Sequence, residues 1–189
     1  MSSDAGLVLA RTRQWVEQVV VGHNFCPFAK PSLAQTHYQL LAGDVEQRMQ
    51  GLLAMCAEMR ARPELETALL VVAAGLTDFD DYLDELTLAE SLLEELGFAG
   101  EFQLASFHPD YCFADTDPGA AENYTNRSPY PVFHLLREAS ISKALAAVKL
   151  PEKIPQRNQR YAQQLGQQRL QAELDQCSNH LHQQEDKRV

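Results

Sequence analysis

Between residues 68 and 73 the chain reads Ala-Leu-Leu-Val-Val-Ala, an apolar run with no polar interruption. A run this short reads as a strand, and the lack of alternation means that both of its faces are covered. Covering both faces takes helices, and the flanking segments supply them. Upstream, Asp44–Arg60 carries Val45, Met49, Leu52, Leu53 and Cys56 at helical spacing, with Asp44 placed to cap it and Pro63 to close it. Downstream, Asp78–Leu96 is a long amphipathic segment that stops at Gly97. His37–Leu41 and Phe102–Phe107 read as two more short strands. Leu7–Val21 reads as a helix whose apolar stripe is Leu7, Trp15, Val16, Val19 and Val20, ending at Gly22. Pro131–Leu150 reads as a further helix, bounded by Pro151.

Strand and helix therefore alternate, which favours parallel strands joined by right-handed crossovers. The expected fold class is α/β, a small, mainly parallel sheet layered with helices. An α+β arrangement with one antiparallel strand is the alternative. Residues 1–155 form the expected single globular domain. Residues 156–189 read as a polar, Gln-rich C-terminal helix and a tail that frays after about Ser178. Its narrow stripe of Tyr161, Leu165, Leu170, Leu174, Cys177 and Leu181 would dock on the body, or on a second subunit in a homo-oligomer.

With 189 residues the chain can bury a core without disulfide or metal staples. A net charge of −10 repels phosphate backbones and anionic lipid, so neither nucleic acid nor membrane is an expected partner. No apolar run approaches the ~20 residues that cross a bilayer, and no secretory pattern opens the chain, so the expected compartment is the cytoplasm. The charge is uneven. Acidic residues crowd Glu64–Glu101, while Arg127, Arg137, Lys143, Lys149 and Lys153 cluster later and leave room for a small anionic ligand.

His108–Tyr130 is longer than the ~12–15 residues a compact domain usually leaves without regular structure. Phe107, Tyr111, Phe113, Tyr124 and Tyr130 argue against disorder. The loop also leaves the carboxyl end of a strand, where ligands enter open α/β sheets. His108 stands at that exit as a candidate acid or base; a loop histidine holding a backbone carbonyl is the plain alternative. Ser128 reads as the N-cap of the helix expected from Pro131, with Asn126 and Arg127 beside it as an anion-binding set. On that helix His134 and Glu138 would share a face, with Arg137 alongside.

The four cysteines, Cys26, Cys56, Cys112 and Cys177, lack C-x-x-C or zinc-ribbon spacing and are expected as free thiols. Cys56 reads as core. Cys26, between Phe25 and Pro27-Phe28, is read as a buried structural thiol, a nucleophile or redox thiol, or a metal or haem ligand. His23, Cys26, His108, Asp110, Cys112 and His134 are permitted metal ligands, yet no pair has tight ligand spacing, so no metal or other cofactor is assigned.

NFCPFAK near residue 25, FHPDYCFADTDP at 107–118 and NYTNRSPYPVFHLLREASI at 123–141 resemble the bacterial domain-of-unknown-function family numbered 1415, over roughly residues 7–150. The resemblance implies site positions and no reaction. It points to Cys26, Pro27 and Phe28; to Phe107, His108 and Pro109; to Asn126, Arg127, Ser128 and Pro129; and to His134, Arg137 and Glu138. The chain departs from the family pattern at His23 and Cys112, which counts against a metal site built on either.

Three functions follow from these residues. The leading one is a small enzyme acting on an anionic metabolite, with Cys26, His108, His134 and Glu138 as catalytic groups and Asn126, Arg127, Ser128 and Arg137 as anion binders. The second is a ligand- or metal-sensing module using the same pocket. The third is a structural protein whose polar motifs only fix the long loop.

Overall fold

The computed structural model describes residues 2–146 and 148–179; the tail from residue 180 onward, expected to fray, lies outside them. Helix α1 (Ser2–Trp15) runs on into a wider π turn, Val16–Val21, whose amides reach back five residues. Gly22 N–H donates to Glu17 O at 3.1 Å and Phe25 N–H to Val20 O at 2.9 Å. A Cβ at Gly22 would lie 2.0 Å from the Gln18 carbonyl oxygen, so this ending admits only glycine. A four-residue helix α2 (Ala29–Ser32) follows the Cys26 loop.

Strands β1 (Thr36–Leu41), β2 (Thr67–Val72), β3 (Phe102–Phe107) and β4 (Val132–Arg137) form one sheet in the order β1-β2-β4-β3. Helices α3 (Val45–Ala61) and α4 (Phe79–Glu95) make the crossovers. Asp44 caps α3 with a full capping box to Gln47, and Asp78 caps α4. All six residues of β2 are buried, as the uninterrupted apolar run requires.

The architecture is a mixed α/β layering, and the expectation of a mainly parallel sheet is corrected. Only β1 and β2 pair in parallel; β4 pairs antiparallel with both β2 and β3. The error lies in the Pro131–Leu150 segment, expected as one helix. Its first part is β4, and only Glu138–Ala146 is helical, as α5. Val-Phe-His-Leu-Leu-Arg is a short apolar run whose period fits helix and buried strand alike, and Pro129 and Pro131 already bias the chain toward extended backbone.

In a strand successive side chains face opposite ways, and that alternation sorts the two cores. Leu70, Val72, Phe133 and Leu135 face α3 and α4, packing on Leu52, Met55, Met59 and Tyr82. Leu69, Val71 and Val132 face α1, packing on Trp15, Val16 and Val19. The polar C-terminal segment is two helices, α6 (Ile154–Leu165) and α7 (Gln167–Asn179), broken at Gly166 with φ +81°. Ala162, Leu170, Leu174 and Cys177 are buried in the α1-side core, so this part of the segment docks on the chain's own body, while Tyr161 stays exposed and Leu181 lies outside the described residues.

Tyr82 of α4 locks the layers together. Its hydroxyl sits in the last rung between β3 and β4, accepting from Phe107 N–H at 3.2 Å and donating to Val132 C=O at 2.8 Å. Tyr82→Phe removes both bonds and leaves two buried backbone groups unpaired. The expected loss is about 1–3 kcal/mol, read as a lower urea midpoint with unchanged slope.

Candidate functional site

The residues singled out by the sequence divide between the two faces of the sheet. His108 is fully buried on the α4 side, its ring 5.2 Å from those of Phe79 and Tyr82. Its Nε2 donates to Leu76 O at 2.9 Å and its Nδ1 accepts from Asp110 N–H at 3.0 Å. Both nitrogens are therefore occupied by backbone, and the imidazole fixes the start of the loop.

Arg137 also faces the α3 side. It donates to Met59 O at 2.6 Å and Leu65 O at 3.2 Å, and its guanidinium lies 5.2 Å from the Phe102 ring centre. It thereby ties the end of α3 and the approach to β2 onto β4. Glu138 begins α5 and lines a cavity of about 340 Å³ with Glu90, Glu94 and Gln103. His134 and Glu138 therefore do not share a helix face, and Arg137 is not beside His134. A strand sends residues 134 and 137 to opposite faces.

Asn126, Arg127 and Ser128 do not form a helix N-terminus, because the segment after them is β4. The buried Ser128 hydroxyl donates to Tyr130 O at 2.6 Å. Asn126 donates to Ser106 O at 3.2 Å and accepts His108 N–H on its carbonyl at 3.3 Å. Arg127 donates to Tyr111 O at 3.2 Å and Pro118 O at 2.7 Å, with its guanidinium 4.5 Å over the Tyr124 ring. At the centre of the loop sits Asn123, which the sequence did not single out. Its side chain accepts from Phe113 N–H and from the Thr116 hydroxyl, and donates to Asp117 O. The long loop is thus ordered by its own polar groups.

Cys26 is half-buried against the α1-side core. Burial raises its thiol pKa, and the nearby Phe28 and Ala29 amides offset this only in part. The C-terminal helices hold its loop. Asn158 donates to Phe25 O at 2.5 Å, Arg157 to Asn24 O, and His23 pairs with Glu173. Neither the 340 Å³ cavity nor one of about 290 Å³ beside His23, Arg169 and Glu173 is lined by Cys26, His108, Arg127 or His134.

His134 differs from all of these. It occupies the middle of β4 on the α1 face, opposite Leu69 of β2 and Ala105 of β3. Thr67 gives its single hydroxyl proton to Leu135 O at 2.8 Å, so at 2.6 Å its oxygen accepts from His134 Nε2–H. That fixes the tautomer and leaves Nδ1 as a lone pair with no hydrogen bond among the described residues. Burial pushes the imidazole pKa down to about 4. Phe107 links the ring to α1, with centroids 5.9 Å from His134 and 5.1 Å from Trp15.

On α1, Arg11 and Trp15 lie one turn apart and so share a face. Arg11 Nη1 donates to the Tyr130 hydroxyl at 3.0 Å. The sequence reading missed Arg11 and Thr67. A cation at the i−4 position from the stripe's tryptophan was the signal for Arg11; nothing local marked Thr67, whose partner is 67 residues away. Among the described residues no group of three or more His, Cys, Asp or Glu is placed to hold a metal ion, and no helix is long and apolar enough to cross a membrane.

Two outcomes check these assignments. At pH 7 native Cys26 should react with iodoacetamide more slowly than an unperturbed thiol of pKa ~8.5; a labelling midpoint below that value contradicts a raised pKa. Arg127→Ala should lower stability by about 1–3 kcal/mol through lost loop bonds, measured by thermal unfolding.

A search of curated proteins and one of solved structures each return no match. A family model described as protein of unknown function (DUF1415) matches residues 7–172, taking in α6 and the first residues of α7 as well as the sheet. With the motif loops, the sheet and α6 inside that match, which spans most of the sequence, the chain belongs to the DUF1415 family.

Proposed function

We propose that this protein is a small-molecule-binding domain whose ligand meets His134 in the seam between α1 and the sheet. The observation that carries this reading is the state of the imidazole. Of the candidate histidines, His108 has both nitrogens occupied by backbone, whereas His134 has one nitrogen anchored through Thr67 and the other open. An anchored Nε2–H with a bare Nδ1 is the arrangement by which proteins present an oriented acceptor to a ligand.

The pKa of about 4 bears on what that acceptor does. At neutral pH the lone pair is always available, which suits recognition of a hydroxyl or amino group. A general base works best with a pKa near the operating pH, so proton abstraction is a poorer use of this group. The raised Cys26 pKa likewise weighs against a thiolate nucleophile. Recognition, as in a binding or sensing module, therefore ranks above the thiol-based enzyme. The net charge of −10 favours a small molecule over nucleic acid or an anionic membrane. Four unpaired cysteines suit a reducing compartment, and we place the protein in the cytoplasm.

His134 also sets a pH dependence. Its folded pKa lies below its ordinary 6.5, so between about 4 and 6.5 the unfolded chain binds more protons. The associated stability is complete above pH 6.5 and is lost as pH falls toward 4, by up to about 3 kcal/mol. His134→Gln should flatten that segment of the stability curve. The binding reading is tested by following the His134 ring resonances by NMR during a screen of small acids, alcohols and amines. Saturable shifts from at least one class are expected; an unresponsive ring across all classes ends the proposal.

A further inference from the structure

We infer that the ligand of this seam carries an oxyanion, a carboxylate or a phosphate, received by the Nε–H of Arg11 and the indole N–H of Trp15. This rests on the reading of His134 as ligand-facing and gives that ligand its second anchor.

Two buried side-chain polar atoms among the described residues have no hydrogen-bond partner, Arg11 Nε and Trp15 Nε1. Trp15 is 1% exposed. Proteins rarely bury donors without acceptors, and each such group calls for an explanation. Here both orphans stand one turn apart on the same face of the same helix. Scattered packing faults would not fall that way; a shared acceptor would need them so.

The chemistry of the pair narrows what that acceptor is. An indole N–H and a guanidinium N–H only donate, so the missing group is an acceptor. Arg11 also carries a full charge, and no carboxylate lies within ion-pair distance of it among the described residues. A neutral carbonyl or a water would satisfy the N–H groups and leave that charge unopposed. An oxyanion answers both needs.

The protein also holds the guanidinium in place for this. Arg11 Nη1 donates to the Tyr130 hydroxyl, and the Tyr130 backbone is fixed by Ser128. The loop motif thereby orients the Arg11 cation. Both Trp15 and His134 lean on the Phe107 ring. An anion at α1 and a donor at His134 Nδ1 would then belong to one small molecule, with its hydroxyl or amino group a few bonds from its oxyanion.

Trp15 is the only tryptophan, so its emission reports this site alone. The full chain is titrated with glycolate and with inorganic phosphate, each against sodium chloride of equal ionic strength, following Trp15 fluorescence and the His134 resonances. One of the two probes is expected to give saturable changes in both signals, which also distinguishes a carboxylate ligand from a phosphate. Arg11→Lys should weaken that binding by about tenfold or more. Trp15→Phe keeps a ring but removes the N–H, and should do the same by the His134 signal; if it does not fold, Arg11→Lys carries the test.

If a probe moves His134 equally in wild type and in Arg11→Lys, the oxyanion anchor is wrong while the His134 site stands. If neither oxyanion acts but neutral alcohols or amines move His134, the anchor is again wrong while the His134 site stands. If nothing moves His134, both inferences fall together.

Discussion

Strand β4 pairs on both of its edges, with β2 on one side and β3 on the other, and the rest of the molecule is arranged around that insertion. Strands β2 and β3 run the same way with the α4 crossover between them, and the strand inserted between them runs against both. Its alternating side chains then serve two cores at once. Phe133 and Leu135 fill the layer beneath α3 and α4, while Val132 fills the layer beneath α1. The Tyr82 hydroxyl completes the final rung where the β3–β4 ladder opens, so a helix side chain takes part in the sheet's own hydrogen bonding.

That geometry does not by itself require the long loop that precedes β4. The chain leaves β3 at one end of the sheet and must re-enter beside it in the opposite direction, which a tight hairpin would have done in two to five residues. This chain takes 24 residues, Phe107 to Val132 apart. It satisfies them internally through His108, Asn123, Asn126, Arg127 and Ser128, each bonded to loop or strand backbone. Helices α6 and α7 then hold this loop and the Cys26 loop together. Tyr124 donates to Gln171 at 2.6 Å on one side, and Asn158 donates to Phe25 O on the other. A polar, Gln-rich composition is suited to that task, because its partners are loop backbone and loop side chains as well as a narrow apolar stripe.

The seam between α1 and the sheet contains what the loop lacks: polar groups that the protein leaves unanswered. His134 presents a bare nitrogen, Trp15 and Arg11 present bare donors, and Phe107 joins the two sides. Elsewhere among the described residues the buried polar atoms find partners, even around the buried cation Arg48 and the partly buried Arg137. The contrast between a saturated loop and an unsaturated seam is what supports reading the candidate site at His134 of β4 and at α1 rather than in the loop.

Read alone, the sequence determined the local elements. Asp44, Asp78, Gly97 and the apolar run at residues 68–73 placed α3, α4 and β2, because caps, stops and unbroken hydrophobicity act within a few residues. Within Phe107–Glu138 it assigned partners that the fold does not bring together, such as His134 and Glu138 on one helix face. Whether residues 132–137 form a strand or a helix turned on pairing with β2 and β3, whose residues lie about 65 and 30 positions away, and no local period encodes that. Once the strand formed, His134 and Arg137 went to opposite faces, Ser128 ceased to be a cap, and Glu138 left the imidazole. Only the tertiary structure could say which polar groups find partners, because satisfaction depends on which backbone folds against them.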